Sequence, residues 1–62
     1  MKNIIKLTME LTQIKMEYNT SWDENTISEI IEYILECQSE DEYYTVDQWL
    51  EDTENNCPEF LQ

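Results

Sequence analysis

The chain has 62 residues, with fifteen Asp and Glu set against three basic side chains and no His, for a formal charge of −12. That balance excludes nucleic acid and an anionic membrane surface as direct partners, because both repel it. The length allows one domain at most (residues 1–62), near the lower limit for folding without a metal or disulfides.

Residues 4–19 carry two apolar periodicities. As a helix, Ile4, Leu7, Leu11, Ile14 and Tyr18 form one stripe and leave Ile5, Met9 and Met16 on the opposite side. As strands, Ile5, Leu7, Met9 and Leu11 alternate in odd phase, then Ile14, Met16 and Tyr18 in even phase. A hairpin turning at Thr12-Gln13 requires that phase change and sets Glu10 opposite Lys15. The hairpin accounts for every apolar residue except Ile4, so it is the expected structure. Its weak point is the turn, because Thr-Gln lacks the Gly, Asn or Asp of primed turns and the chain has no glycine.

Asn19 to Asn25 is polar apart from Trp22 and reads as a connection. Thr26-Ile27-Ser28-Glu29 has the form of a capping box opening a helix over about 27–37. Ile27, Ile30, Ile31, Ile34 and Leu35 share one face of that helix, and Glu29, Glu32 and Glu36 share the opposite one. A linker with Glu40, Asp41 and Glu42 follows. Thr45-Val46-Asp47-Gln48 is a second capping box, with Tyr44 and Trp49 placed as its hydrophobic staple, and it opens a helix over about 46–54. Val46, Trp49, Leu50 and Thr53 face one way, and Asp47, Glu51 and Glu54 the other. Asn55-Asn56 and Pro58 end the helix; Phe60 and Leu61 either fold back onto the core or fray. The expected fold is therefore α+β, an N-terminal β-hairpin packed against one long and one short helix. A hairpin edge would also allow homodimerisation. Disorder is the competitor, since high net charge opposes compaction, but the apolar residues are too regularly spaced for a solvated chain.

No motif carries catalysis. There is no His, no nucleophile paired with a base and no Gly-rich phosphate loop, so the protein is not expected to be an enzyme. Cys37 and Cys57, with nineteen residues between them, match no zinc spacing. They read as a buried thiol near a helix end and a surface thiol in the tail, with a Cys37–Cys57 bridge as the alternative. Neither Glu40-Asp41-Glu42 nor Asp52-Thr53-Glu54 has the spaced acids and glycine of a calcium loop, and no cofactor is expected. Met1-Lys2-Asn3-Ile4-Ile5 begins like a signal peptide, but Lys6 and Glu10 interrupt the apolar core such a segment needs. No stretch approaches membrane length, which points to the cytosol.

What remains is the charge. From Met16 to Gln62 there is no Lys, Arg or His, while fourteen of the fifteen carboxylates lie there. Residues 1–15 hold Lys2, Lys6, Lys15 and Glu10, about +2 in total, and the remainder holds −14. An ordinary exposed helix face mixes signs and gains about 0.2–0.5 kcal/mol from each i,i+4 ion pair. These helices have no cation at all, and Glu36, Glu51, Asp52 and Glu54 lie near C-termini, where the dipole disfavours anions by about 0.3–1 kcal/mol each. Such self-repulsion suggests a use. Glu29, Glu32 and Glu36 are spaced roughly 4.5–6 Å apart along a helix axis, and duplex DNA carries one charge per about 3.4 Å on each strand. An array on that scale can engage the Lys and Arg side chains that grip phosphates. Tyr33, Tyr43, Tyr44 and Trp22 are candidate anchors beside it, with core or staple roles as the alternative.

A very small, base-poor, strongly acidic chain with an expected α+β fold resembles the DNA-mimic inhibitors encoded by phages and mobile elements, which block uracil-DNA glycosylase, restriction enzymes, nucleoid proteins and CRISPR nucleases. The resemblance lies in size, composition and charge across Met16–Gln62, with no shared motif. It implies a non-enzymatic inhibitor of a basic nucleic-acid-binding protein (a nuclease, nucleoid or transcription protein). The residues expected to carry binding are Glu29, Glu32, Glu36, Glu40, Asp41, Glu42, Asp47, Glu51, Asp52 and Glu54. An antitoxin or immunity protein covering a basic toxin, and an adaptor docking through an apolar surface, are the rival readings.

Overall fold

The computed structural model describes residues 4–62 and holds three α-helices, α1 (Ile4–Tyr18), α2 (Glu24–Glu40) and α3 (Val46–Asn56), closed by a 3₁₀ turn over Pro58–Leu61. There is no strand among the described residues. The expected α+β fold and its hairpin over about 4–19 are therefore overturned, together with the homodimer imagined through a hairpin edge. Local physics explains the outcome. Met, Leu, Lys, Glu and Gln are strong helix formers, and Thr12-Gln13 gives a hairpin no turn residue. A helix also closes three i,i+4 links along its length. Thr8 Oγ1 donates to the Ile4 carbonyl at 2.8 Å, Lys6 Nζ meets Glu10 at 4.0 Å, and Gln13 Nε2 donates to Glu17 at 3.2 Å. Leu7, Leu11 and Ile14 are buried by α1, whereas Ile5, Met9 and Met16 are left exposed.

The end of α1 shows how a chain without glycine makes a sharp stop. Asn19 adopts a left-handed conformation at φ 54°. The Thr20 amide donates back to the Lys15 carbonyl at 3.0 Å, and the Asn19 amide to that of Met16 at 3.3 Å. This is the Schellman arrangement, for which Asn is the usual substitute for Gly. Replacing Asn19 by Val is expected to cost about 1–2 kcal/mol, the penalty of a β-carbon in that region, while Asn19→Gly should be neutral or slightly stabilising. Urea unfolding of the two variants checks this, and equal losses in both would contradict the assignment.

Helix α2 begins one turn earlier than the Thr26 capping box implied. Its N-cap is Asp23, extended at φ −100° and ψ −177°, whose carboxylate accepts the Thr26 amide at 2.8 Å. Asp is at least as good a cap as Thr, and the earlier start places Trp22 just before the cap and Ile27 four residues inside it, the two staple positions. The backbone hydrogen bond from Thr26 holds the Asp23 carboxyl below its ordinary value. Because the folded-state value is the lowered one, this contribution is present above the ordinary carboxylate range and is lost as the pH falls through the lowered value. Asp23→Ala should thus lower the thermal midpoint at neutral pH, and the gap to the natural protein should close in acid. A gap that persists unchanged in acid would show that the charge plays no part.

The face of α2 read from the sequence is the buried one. Ile30, Ile31 and Ile34 lie in the core, with Ile27 and Leu35 packed against it. Helix α3 is capped by Thr45, whose hydroxyl accepts the Gln48 amide at 3.2 Å. The reciprocal half of that box is absent, since the Gln48 side chain donates forward to Asp52 at 3.2 Å. The helices run to Glu40 and Asn56, beyond the expected ends near 37 and 54. The tail folds back. Leu61 is buried, and Trp22 Nε1 donates to the Phe60 carbonyl at 2.9 Å. Trp22, Trp49 and Phe60 form an aromatic trio with centroid separations of 5.6 to 6.3 Å.

Candidate functional site: the acidic surface and the groove between α2 and α3

All ten carboxylates singled out from the sequence are exposed, but they do not form one continuous face. Glu29 and Asp52 are brought to the same groove, one from α2 and one from α3. The groove has a volume of about 390 Å³, and its apolar wall is built by Ile30, Tyr33, Tyr44, Trp49 and Phe60. Asp47 lies on another side, in a depression between α1 and α3 shared with Glu10 and Glu17. Glu54 also turns toward α1, where it accepts the Tyr18 hydroxyl at 3.3 Å. Burial and this glutamate together push the Tyr18 hydroxyl above its ordinary value. Glu32, Glu36 and Glu51 are exposed, and their side chains have no hydrogen bond or ion pair among the described residues.

The run over Glu40–Glu42 is partly structural. Asp41 closes α2, its amide donating to the Cys37 carbonyl at 2.8 Å and its carboxylate accepting the Tyr43 amide at 3.0 Å. Glu40 is the last residue of α2, and Glu42 follows in the turn.

The aromatic candidates separate clearly. Trp22 is 6 % exposed, so it belongs to the core and cannot anchor a partner. Tyr44 is half-buried as the staple reading required, and its carbonyl accepts Gln38 Nε2 at 3.0 Å. Tyr33 and Tyr43 are exposed, at 55 % and 82 %. Tyr33 sits in the groove beside Cys37, and that thiol is the main cause of its raised hydroxyl pKa, with Asp52 and Glu36 adding negative potential. Burial first, then Cys37, Tyr33 and Asp52, push Tyr44 up to about 12. The two shifts have different main causes, the Cys37 thiol for Tyr33 and burial for Tyr44, and Asp52 adds negative potential at both hydroxyls. Cys37 is half-buried and Cys57 exposed, and both are free thiols.

Reading the sequence alone missed the meeting of Glu10 and Glu17 with Asp47, and left Phe60 either folded back onto the core or frayed. The first two were assigned to a hairpin, where they could not meet Asp47. Phe60 gave a signal, an aromatic two residues after Pro58, but only the fold-back shows that it completes the groove.

Taken together, fold and surface define a small three-helix bundle whose described residues contain one ion pair, Lys6–Glu10, for all their acids. Comparison with family models, curated proteins and solved structures finds no match. No helix among the described residues is long and apolar enough to cross a membrane.

Proposed function

We propose that this protein is a non-enzymatic inhibitor that occupies the polynucleotide-binding surface of a basic protein, presenting carboxylates where phosphates would otherwise sit. One observation carries the reading: α2 and α3 expose their acids, and neither helix contains a Lys, Arg or His. A solvated face that served only solubility would gain from interspersed lysines. Glu29, Glu32, Glu36, Glu51 and Asp52 supply the phosphate-like charge along the two helices. The groove supplies the anchor, where Tyr33, Tyr44 and Phe60 offer aromatic surface to an Arg or Lys side chain steered in by Glu29 and Asp52.

The experiment is capture of a partner on immobilised protein at low salt, elution in a salt gradient, and competition with duplex DNA or RNA. The expected result is a nucleic-acid-binding protein that elutes steeply with salt and is displaced by polynucleotide. A captured toxin that binds this protein and nucleic acid together would favour the immunity reading instead. A partner held indifferently to salt would favour an apolar adaptor.

A further inference from the structure

The outer face of α1 has no role in the bundle or in the acidic surface. Ile5, Met9 and Met16 are 79 %, 67 % and 74 % exposed, although large apolar side chains on a small soluble protein are normally covered. They are not scattered. With Thr12 they follow a 4-3-4 spacing along one side of the helix, the seam pattern of a two-stranded coiled coil. Thr8 and Gln13 border the seam and line a shallow depression with Met9 and Met16. The face that packs on the bundle, Leu7, Leu11 and Ile14, is on the opposite side.

We infer that this face is covered by a second copy of the same chain, with the two α1 helices antiparallel across a twofold axis. Charge selects the occupant. Helix α1 carries two lysines and two glutamates, so it is neutral, whereas the whole chain stands at −12. The surfaces that carry the acids of α2 and α3 repel their counterparts on another copy, and this one does not. A basic partner, drawn to the acids of α2 and α3, gains nothing here, because Lys6 already engages Glu10. The arrangement also complements itself. With Ile5 and Thr12 at d positions and Met9 and Met16 at a positions, an antiparallel pair stacks Ile5 on Met16 of the other copy and Met9 on Thr12. The flanking residues then place Lys6 opposite Gln13 and Thr8 opposite Lys15, with no like charges facing. A twofold interface requires such self-complementarity.

The seam is only about 17 Å long at 1.5 Å per residue, so the dimer is weak, with a dissociation constant on the order of 10–100 µM. Its salt dependence is opposite in sign to that of partner binding. Screening relieves the repulsion between two strongly negative copies, so added salt tightens the dimer, whereas it loosens a contact between acids and a basic protein.

Analytical ultracentrifugation from ~10 µM to ~1 mM, at ~20 mM and ~500 mM NaCl, tests this. The expected result is dimer at the upper concentrations, with at least a severalfold tighter constant in the higher salt. The double variant Met9→Lys, Met16→Lys should remain monomeric with unchanged helical circular dichroism. Thr12→Glu, a milder change at an exposed position, should weaken association by about 10-fold or more, and Tyr43→Ala, away from the seam, should have no effect. In a Cys37→Ser, Cys57→Ser background, Ile5→Cys chains should oxidise with Met16→Cys chains in preference to themselves. A monomer at every concentration and salt would overturn the inference, as would a dimer that survives both seam variants. Preferential self-pairing of the Ile5→Cys chains would overturn the antiparallel arrangement.

Discussion

Reversing Glu32 and Glu36 together to lysine should weaken binding to the basic partner by about 30-fold or more. Each reversal removes an attractive contact and introduces a repulsive one. At roughly 1 kcal/mol or somewhat more per exposed interfacial charge, the pair changes the binding free energy by about 2–3 kcal/mol. Both side chains point to solvent from α2, away from Ile30, Ile31 and Ile34, so the fold should not be disturbed. Replacing the lost acids by bases would even supply α2 with the mixed signs it lacks. The control is Lys6→Glu on α1, which adds an acid outside the acidic surface and should change affinity by no more than about twofold. Competition binding at several salt concentrations checks the prediction, and the variant should also show a shallower salt slope. Unchanged affinity in the Glu32, Glu36 double reversal would remove the phosphate-mimic reading, while leaving self-association through α1 untouched.

Trp22→Ala is expected to unfold the protein at 25 °C. Trp22 packs edge-on to Trp49 at 5.8 Å, leans on Phe60 at 5.6 Å, and donates Nε1–H to the Phe60 carbonyl at 2.9 Å. Truncating a buried tryptophan costs about 3–5 kcal/mol, and a core of this size supplies little more than that in total. The loss would release the 3₁₀ turn and Leu61, and with them one wall of the groove. Trp22→Phe keeps the ring stacking and forfeits the hydrogen bond, so it should remain folded with a lower midpoint. Near-ultraviolet circular dichroism and urea unfolding separate these outcomes. A cooperative transition in Trp22→Ala close to that of the natural protein would mean that the tail contributes no stability.

Much of α2 and α3 was legible from spacing because each has one apolar face and one acidic face. The register of Ile27, Ile30, Ile31, Ile34 and Leu35 survives intact, as does the Thr45 cap. Helix α1 was not legible for the opposite reason. It is apolar on two sides, inward through Leu7, Leu11 and Ile14 and outward through Ile5, Met9 and Met16. A single stripe of period 3.6 then leaves Ile5, Met9 and Met16 unaccounted for, and a hairpin with alternating strands leaves out only Ile4. The preference for the hairpin assumed that every large apolar side chain must be buried within one copy of the chain. The structure violates that assumption, and the uncovered side is the face assigned here to a second copy.

The amino-acid order by itself determined the charge separation and the acidic faces of α2 and α3. These depend on composition and on positions a few residues apart. Only the tertiary structure decided which of the two apolar sides of α1 packs inward and that Trp22 belongs to the core rather than to the surface. It also decided that Asp52 joins Glu29 in a groove while Asp47 and Glu54 turn toward α1. Those outcomes depend on contacts between residues distant in the chain, such as Trp22 with Phe60 and Tyr18 with Glu54, and no local periodicity encodes which helix will cover which.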